Sequence, residues 1–151
     1  MRAPILRLAL VGLMAVLVLT ACDNGEPRAA SLGLTHTPAD LSELEGGVWT
    51  AKSILDPDIS LAPGSQIEMR FQADSLSVDA GCNRLFGGAS IDGDELVVPA
   101  LASTQKACED AQMRQDAWLS DFLSSRPTIE VLEQDLWLSH GDDTVIHLVH
   151  E

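Results

Sequence analysis

The sequence predicts a mainly β (α+β) fold, either a small antiparallel β-barrel or a strongly bent sheet, with one helix packed across it. Three observations support this prediction. Apolar and polar residues alternate along 66–72 and again along 75–80, as they do in strands with one buried face. Turn-forming Gly, Asp and Pro residues divide most of the chain that follows into short segments. Residues 109–124 change to a helical period.

The first 21 residues have the composition of a secretory signal peptide. Arg2 and Arg7 flank the start of an apolar run that contains no acidic residue. The run is shorter than the roughly 20 apolar residues that a membrane-spanning helix needs. Because Cys22 directly follows Leu-Thr-Ala, the segment resembles the lipobox of bacterial lipoproteins. That resemblance implies cleavage after residue 21 and a diacylglycerol group on the Cys22 thiol. The alternative is an ordinary signal peptide that happens to carry a cysteine.

Residues 22–40 are predicted to be the lipidated cysteine and a flexible tether, and residues 41–151 a single folded domain. The tether is polar and has no apolar periodicity, so it has little with which to form a core. Two or three acyl chains anchor a protein stably. We therefore expect the lipid to hold the protein at the cell membrane or outer membrane, with the domain facing the periplasm or the exterior.

The chain is strongly acidic, with 23 Asp and Glu residues against 9 Lys and Arg residues and a net charge of −14. Cleavage would remove two basic residues, leaving 7 and a net charge of −16. Since phosphate binding requires a basic surface, nucleic acid is not an expected partner. The charge favours cationic partners, although a solvated acidic surface is its commoner explanation.

The predicted elements of the domain follow in chain order. Residues 41–45 form one helical turn or a lead-in, and Trp49 lies as a core residue in the first strand. Gly81 predicts a bend or a close approach of the backbone, Asn83 suits a tight turn, and Pro127 ends the helix. The predicted strands are 48–54, 66–72, 75–80, 89–91, 95–98, 101–105, 128–132, 136–139 and 144–149, of which the last three form a meander.

The predicted helix carries one apolar stripe, expected to cover the core rather than contact a membrane because the opposite face is acidic. The negative charge of Glu109 and Asp110 suits the start of a helix, where the dipole favours it. The stripe consists of Met113, Ala117, Trp118, Leu119, Phe122 and Leu123, and the opposite face of Asp110, Arg114, Gln115, Asp116 and Asp121.

Cys82 and Cys108 are the two cysteines that remain after the leader, 26 positions apart. Outside the cytoplasm such a pair is more often a disulfide than two free thiols. Closing this loop would contribute roughly 3 to 3.5 kcal/mol in the chain-entropy model. The alternatives are a nucleophile or a metal ligand. They lack support because no His lies near either cysteine in the sequence and no Cys-x-x-Cys occurs.

Several motifs occur in order between residues 43 and 149. A strand with Trp49 is followed by GCNRLFGG at 81–88 and TQKAC at 104–108, then by the helix and a closing strand around Trp137. In this order they resemble the META domain family, which includes heat-inducible bacterial lipoproteins. The family motif falls on Gly81, Cys82, Asn83, Gly87, Thr104 and Cys108. The resemblance implies a small barrel or bent sheet with one helix, an association with envelope stress and drug tolerance, and no established catalytic residue.

Three positions depart from the pattern of the family. Lys106 stands where members often have Met, Phe86 where Tyr is common, and Gln115 where a Glu is often found. All three changes are compatible with the fold. If a family member uses the usual side chain at one of these positions, we do not expect the same role for the residue of this chain.

No catalytic, cofactor-binding or metal-binding residue is predicted. The sequence lacks Gly-x-Ser-x-Gly, His-Glu-x-x-His and a phosphate-binding glycine loop. Its histidines, His36, His140, His147 and His150, lie in the tether or near the end of the chain without acidic or cysteine ligands at metal spacing.

Two classes of function remain. The first is a non-catalytic binding or scaffolding module of the cell envelope that holds an apolar small ligand or an envelope protein. The alternative is an inhibitor of a cationic extracellular enzyme, such as lysozyme or a protease, which would present the loop 55–65 or 84–90. Capture of a cationic protein should weaken steeply with salt, whereas apolar ligand binding should not.

Overall fold

A computed structural model describes residues 35–151 as one antiparallel sheet of ten strands and one α-helix, preceded by a short 3-10 helix, Leu41–Leu44. The predicted fold class is confirmed. The strands are β1 (Trp49–Leu55), β2 (Glu68–Gln72), β3 (Ser75–Asp79), β4 (Arg84–Gly88), β5 (Ser90–Asp92), β6 (Glu95–Val97), β7 (Ala102–Ser103), β8 (Thr128–Leu132), β9 (Asp135–His140) and β10 (Thr144–His150). The helix, α1, is Asp110–Ser124, between β7 and β8.

The sheet curls strongly, as its strand order shows. The order is β5-β6-β8-β9-β10-β1-β2-β3-β4-β7. Strands β4 and β5 lie near opposite ends of this order, yet only Ala89 separates them along the chain. The two ends of the sheet therefore approach each other at Ala89, which is buried and donates its N–H to the Asp74 carbonyl at 3.0 Å. The result is a curled half-barrel.

The core fills the concave side of this sheet. Alternate residues of the strands point inward, so β2 contributes Met69 and Phe71 while β3 contributes Leu76 and Val78. Each fully buried aliphatic side chain stabilises the fold by roughly 1.5–3 kcal/mol. The side chains with 1% exposure or less include Leu41, Leu44, Ile67, Met69, Leu76, Val78, Leu96, Leu119, Leu123, Ile129, Leu136, Leu138, Ile146 and Leu148. Among the described residues this core extends from Leu41 to Leu148, so we expect residues 35–151 to fold without the preceding segment.

The buried face of α1 differs from the predicted apolar stripe. Leu119, Phe122 and Leu123 are buried as predicted, but Met113 is 42% exposed and Ala117 is also exposed. Gln115 and Asp116, predicted on the solvent face, are only 0% and 7% exposed. The first half of the helix is turned towards polar backbone at the end of β3, and hydrogen bonds rather than apolar contacts hold it there.

The bend predicted at 81–83 is present, but Arg84–Gly88, where the sequence predicts no strand, forms strand β4. Strand β4 pairs with β3 in continuous register from Arg84 opposite Asp79 to Gly88 opposite Ser75. Because two of its five residues are glycines, the alternation of buried and exposed side chains in this strand cannot be seen in the sequence. Gly87 is required because a Cβ there would overlap the carbonyl oxygen of Ala100. The expectation that 84–90 forms a projecting loop is therefore wrong.

Residues 1–34, which include the predicted signal peptide, Cys22 and most of the predicted tether, lie outside the described residues. The last residues of the tether contact the domain: His36 exchanges two backbone hydrogen bonds of 2.8 Å with Val131, and Pro38 is buried. In the described part of the chain, no helix has the length and apolar character required to cross a membrane.

Candidate functional site

The family motif comes together where the β3–β4 turn meets the segment that leads into α1. The predicted disulfide joins Cys82 in that turn to Cys108, two residues before the helix, with a Cα–Cα distance of 6.1 Å. This geometry is ordinary for a disulfide. In the structure both thiols are consumed by this bond, so neither serves as the nucleophile or metal ligand considered as an alternative.

Asn83 is the hub of this region and is only 4% exposed. Its Oδ1 accepts hydrogen bonds from the Thr104 hydroxyl and the Lys106 backbone N–H, both at 2.8 Å. Its Nδ2 donates to Asp116 Oδ2 at 2.7 Å and to the Lys106 carbonyl at 3.3 Å. The backbone N–H of Asn83 donates to the same Asp116 oxygen at 3.0 Å. One side chain thus ties the turn, the 104–106 segment and α1 together.

Gln115 makes a second set of contacts beside Asn83. Its Oε1 accepts the Ala62 N–H at 2.7 Å, while its Nε2 donates to the Ala80 carbonyl at 2.7 Å and to the Ser65 hydroxyl at 3.1 Å. An ionised Glu, often found here in the family, has no N–H with which to reach Ala80. The departure at this position therefore provides the donor for the Ala80 carbonyl.

Gly81 is required by this packing. Its φ is +97°, and a Cβ there would lie 2.7 Å from Ser65 Cβ and 2.9 Å from Gln115 Nε2. Both the backbone conformation and the close approach exclude a side chain. Thr104 completes the motif, since its hydroxyl donates to Asn83 and accepts the Arg84 N–H at 3.0 Å.

Asp116 has an unusual position in this network. Its Oδ2 accepts both hydrogen bonds from Asn83, but its Oδ1 is buried and has no hydrogen-bond partner among residues 35–151. Buried polar atoms without a partner are rare, because desolvation is costly when no hydrogen bond replaces water. Only one of the two carboxylate oxygens of Asp116 is therefore hydrogen-bonded within residues 35–151.

A groove of about 420 Å³ lies beside the network. One wall is α1, with Met113, Ala117 and Ser120, and the other is the segment 103–107. The buried residues Asn83, Leu85 and Asp116 form its floor. The groove is open to solvent, and we call it the motif groove because the motif residues Asn83 and Thr104 line it.

Asp56 organises a second region, the 56–65 loop. Its Oδ1 accepts the backbone N–H groups of Asp58 at 2.8 Å and Ile59 at 3.1 Å. Its Oδ2 accepts the Thr144 hydroxyl at 2.9 Å and the Trp118 indole N–H at 3.2 Å. Burial raises the pKa of Asp56, but these four hydrogen bonds together lower the pKa below its ordinary value.

The histidines of the described chain are spread out rather than clustered. His147 contacts Asp135 at 2.6 Å and stacks on Trp137, whereas His150 packs edge-on against Trp49. His36 lies 3.4 Å from Glu43. Within residues 35–151, no group of three or more His, Cys, Asp or Glu side chains is placed to hold a metal ion.

Sequence reasoning identified the motif residues but missed three side chains that matter as much. Gln115 and Asp116 are predicted on the solvent face, and nothing in the sequence around Asp56 indicates its contacts with Trp118 and Thr144. Two adjacent polar residues in an amphipathic helix are expected to be exposed, and nothing in the sequence indicates that these two are buried. Only their contacts with the β3–β4 turn, more than 30 positions away in sequence, reveal it.

Comparisons with known proteins agree with the fold. No curated protein matches the chain. The NMR structure of a protein from Burkholderia xenovorans matches with a TM-score of 0.58 and 19% identity, over 74% of this chain and 86% of that one. A second NMR structure matches with the same score and identity over 72% and 92%. The model of the META domain matches residues 42–151, almost the whole described chain. The chain belongs to the META domain family.

Proposed function

We propose that this protein is a lipid-anchored, non-catalytic binding module of the cell envelope, linked to envelope stress or drug tolerance. The single observation that carries the proposal is the Cys82–Cys108 disulfide. Structural disulfides persist in oxidising compartments and are rare in the cytoplasm. Together with the lipobox-like segment that ends in Cys22, this favours export followed by acylation.

The contacts of the family motif support a binding role rather than catalysis. Asn83 and Thr104 use their polar atoms on one another, on the Asp116 carboxylate and on backbone groups, and the two cysteines are paired. Within residues 35–151, none of these four side chains is left as a nucleophile or base. Asn83 and Thr104 instead line the motif groove, a surface concavity of the size that small ligands occupy.

Export and anchoring are tested on the full chain in a diderm bacterial host, with Cys22→Ser as the matched variant. We expect wild-type protein to incorporate labelled palmitate and to sediment with membranes. The C22S variant should incorporate none. Wild-type protein that is unlabelled and stays in the soluble fraction would contradict the anchoring.

A second candidate is inhibition of a cationic extracellular enzyme, and one observation favours it. Leu55 is 64% exposed at the edge of the 56–65 loop, which Asp56 and Gln115 hold in place. Inhibitors present an ordered loop with an exposed anchoring residue, as this loop does with Leu55. The acidic charge would speed encounter with a basic enzyme. Lysozyme inhibition assayed at low and high salt tests it, with Leu55→Ala as the variant. No inhibition at low salt refutes this role.

A further inference from the structure

We propose that the motif groove binds an aliphatic amine, with the ammonium group at the Asp116 carboxylate and the aliphatic stem against Met113. The inference rests on the proposed binding function and names the chemical class of the ligand. The ligand is a primary amine on an unbranched stem, either a free amine or the side chain of a lysine.

The first support is the unpaired oxygen of Asp116. The residue is 93% buried, lines the groove, and has no donor for Oδ1 within residues 35–151. Rotating the carboxylate would only exchange one unpaired oxygen for the other, because the Asn83 backbone and side chain both hold Oδ2. Because Oδ1 has almost no exposed surface, a ligand that brings its own N–H groups would supply the missing donor after a small displacement of the side chains that cover this oxygen.

The second support is the apolar surface above this carboxylate. Leu85, Met113 and Ala117 line the same groove, and the Met113 side chain is 42% exposed. Methionine is flexible and polarizable, which suits it to pack against aliphatic chains of different shapes. A charged head near Asp116 and an apolar stem along Met113 together match an alkylammonium ion.

Charge favours an amine over an anion or a metal ion, although one cation, Lys106, also lines the groove. An anion would meet both the Asp116 carboxylate and the −14 charge of the chain. A divalent metal ion needs several oxygen ligands, and Asp116 is the one acidic residue that lines the groove. Lys106 also lines the groove and forms no ion pair with residues 35–151. Its ammonium group is a natural competitor for the same carboxylate.

The test uses residues 35–151 labelled with 13C at the methionine methyl groups. Residues 35–151 contain two methionines, Met113 in the groove and Met69 in the core, so the Met69 signal is an internal reference. The probes are n-hexylamine, n-hexanol as the uncharged match, and N-acetyl-lysine methylamide to distinguish a lysine side chain from a free amine. The variants are Asp116→Asn, Lys106→Gln and, as a control with the same change in charge, Glu109→Gln.

We expect hexylamine or the lysine amide to shift the Met113 signal saturably while Met69 stays in place. D116N should weaken this binding at least tenfold, E109Q less than twofold, and K106Q should strengthen it several-fold because a competing cation is removed. K106Q and E109Q change exposed side chains and keep the test valid if D116N does not fold. The tighter of the two amines identifies the source of the ligand.

Three results would overturn the proposal. Equal binding of hexanol and hexylamine would leave the groove as a binding site but refute the amine class. Amine binding that D116N and E109Q weaken equally would remove Asp116 as the anchoring charge. No shift of Met113 with any probe would refute both the amine class and the groove as the binding surface, while leaving the palmitate test of anchoring untouched.

Discussion

Replacing Asn83 by Asp should destabilise the domain severely without changing the shape of the side chain. The substitution removes the Nδ2 donor that lies 2.7 Å from Asp116 Oδ2 and puts a second carboxylate in its place. A hydrogen bond to a charged group contributes about 1.5–3 kcal/mol, and leaving a buried charge without its partner costs about 3–5 kcal/mol. We therefore expect N83D to lower the free energy of unfolding at pH 7 by about 3–5 kcal/mol, a large part of the roughly 5–15 kcal/mol typical of a small domain.

The assay is urea unfolding at pH 7 with the disulfide intact, followed by tryptophan fluorescence. Gln105→Glu is the matched control, because it makes the same amide-to-acid change at an exposed position in the neighbouring segment and should cost less than about 0.5 kcal/mol. In an Asp116→Asn background the carboxylate clash is absent, so N83D should cost less there. Equal costs for N83D and Q105E would refute the reasoning that Asn83 holds a buried network.

Three further predictions follow from other contacts, each measured by urea unfolding. Gly81→Ala should lower the free energy of unfolding by about 2–3 kcal/mol, because it adds both backbone strain and a steric clash. Gly93→Ala is the control, since Gly93 also has a positive φ but open space around it, and should cost about 1 kcal/mol. Equal costs would contradict the packing at Gly81. Because folding lowers the pKa of Asp56, its ionised carboxylate stabilises the fold above about pH 4, and this stabilisation is lost as the pH falls through the folded-state pKa. Asp56→Asn should therefore lower the free energy of unfolding at pH 7 and make that free energy depend less on pH in the acid range. An unchanged pH profile would refute this. Joint replacement of Cys82 and Cys108 by Ser should cost about 3–3.5 kcal/mol, and no loss would show that the disulfide is not structural.

Much of the fold could be predicted because its strands alternate cleanly. The β2–β3 hairpin and the β8–β9–β10 meander each bury every second residue, and a period of two is readable from sequence alone. Strand β4 was missed because Gly87 and Gly88 supply no side chains to alternate. The small size of Gly87 serves a tertiary contact, the approach of the Ala100 carbonyl, which no local pattern encodes.

The candidate site was predictable only in part, for a related reason. Gly81, Asn83 and the cysteines stand out because their residue types are unusual at the end of a strand. The partners of Asn83 do not stand out, since Asp116 sits in a helix among other polar residues. Its role depends on a contact across 33 positions of sequence, which is set by how α1 packs over the sheet.

The side-chain amide of Asn83 offers the most direct test of the buried network. Asn83 is the one asparagine in residues 35–151, so selective 15N labelling gives a single pair of side-chain amide signals in this chain. A group that donates to Asp116 and the Lys106 carbonyl at 4% exposure should give widely separated signals that exchange slowly with solvent. Signals at the positions of an unfolded asparagine, exchanging rapidly in a folded protein, would contradict the network on which the motif groove depends.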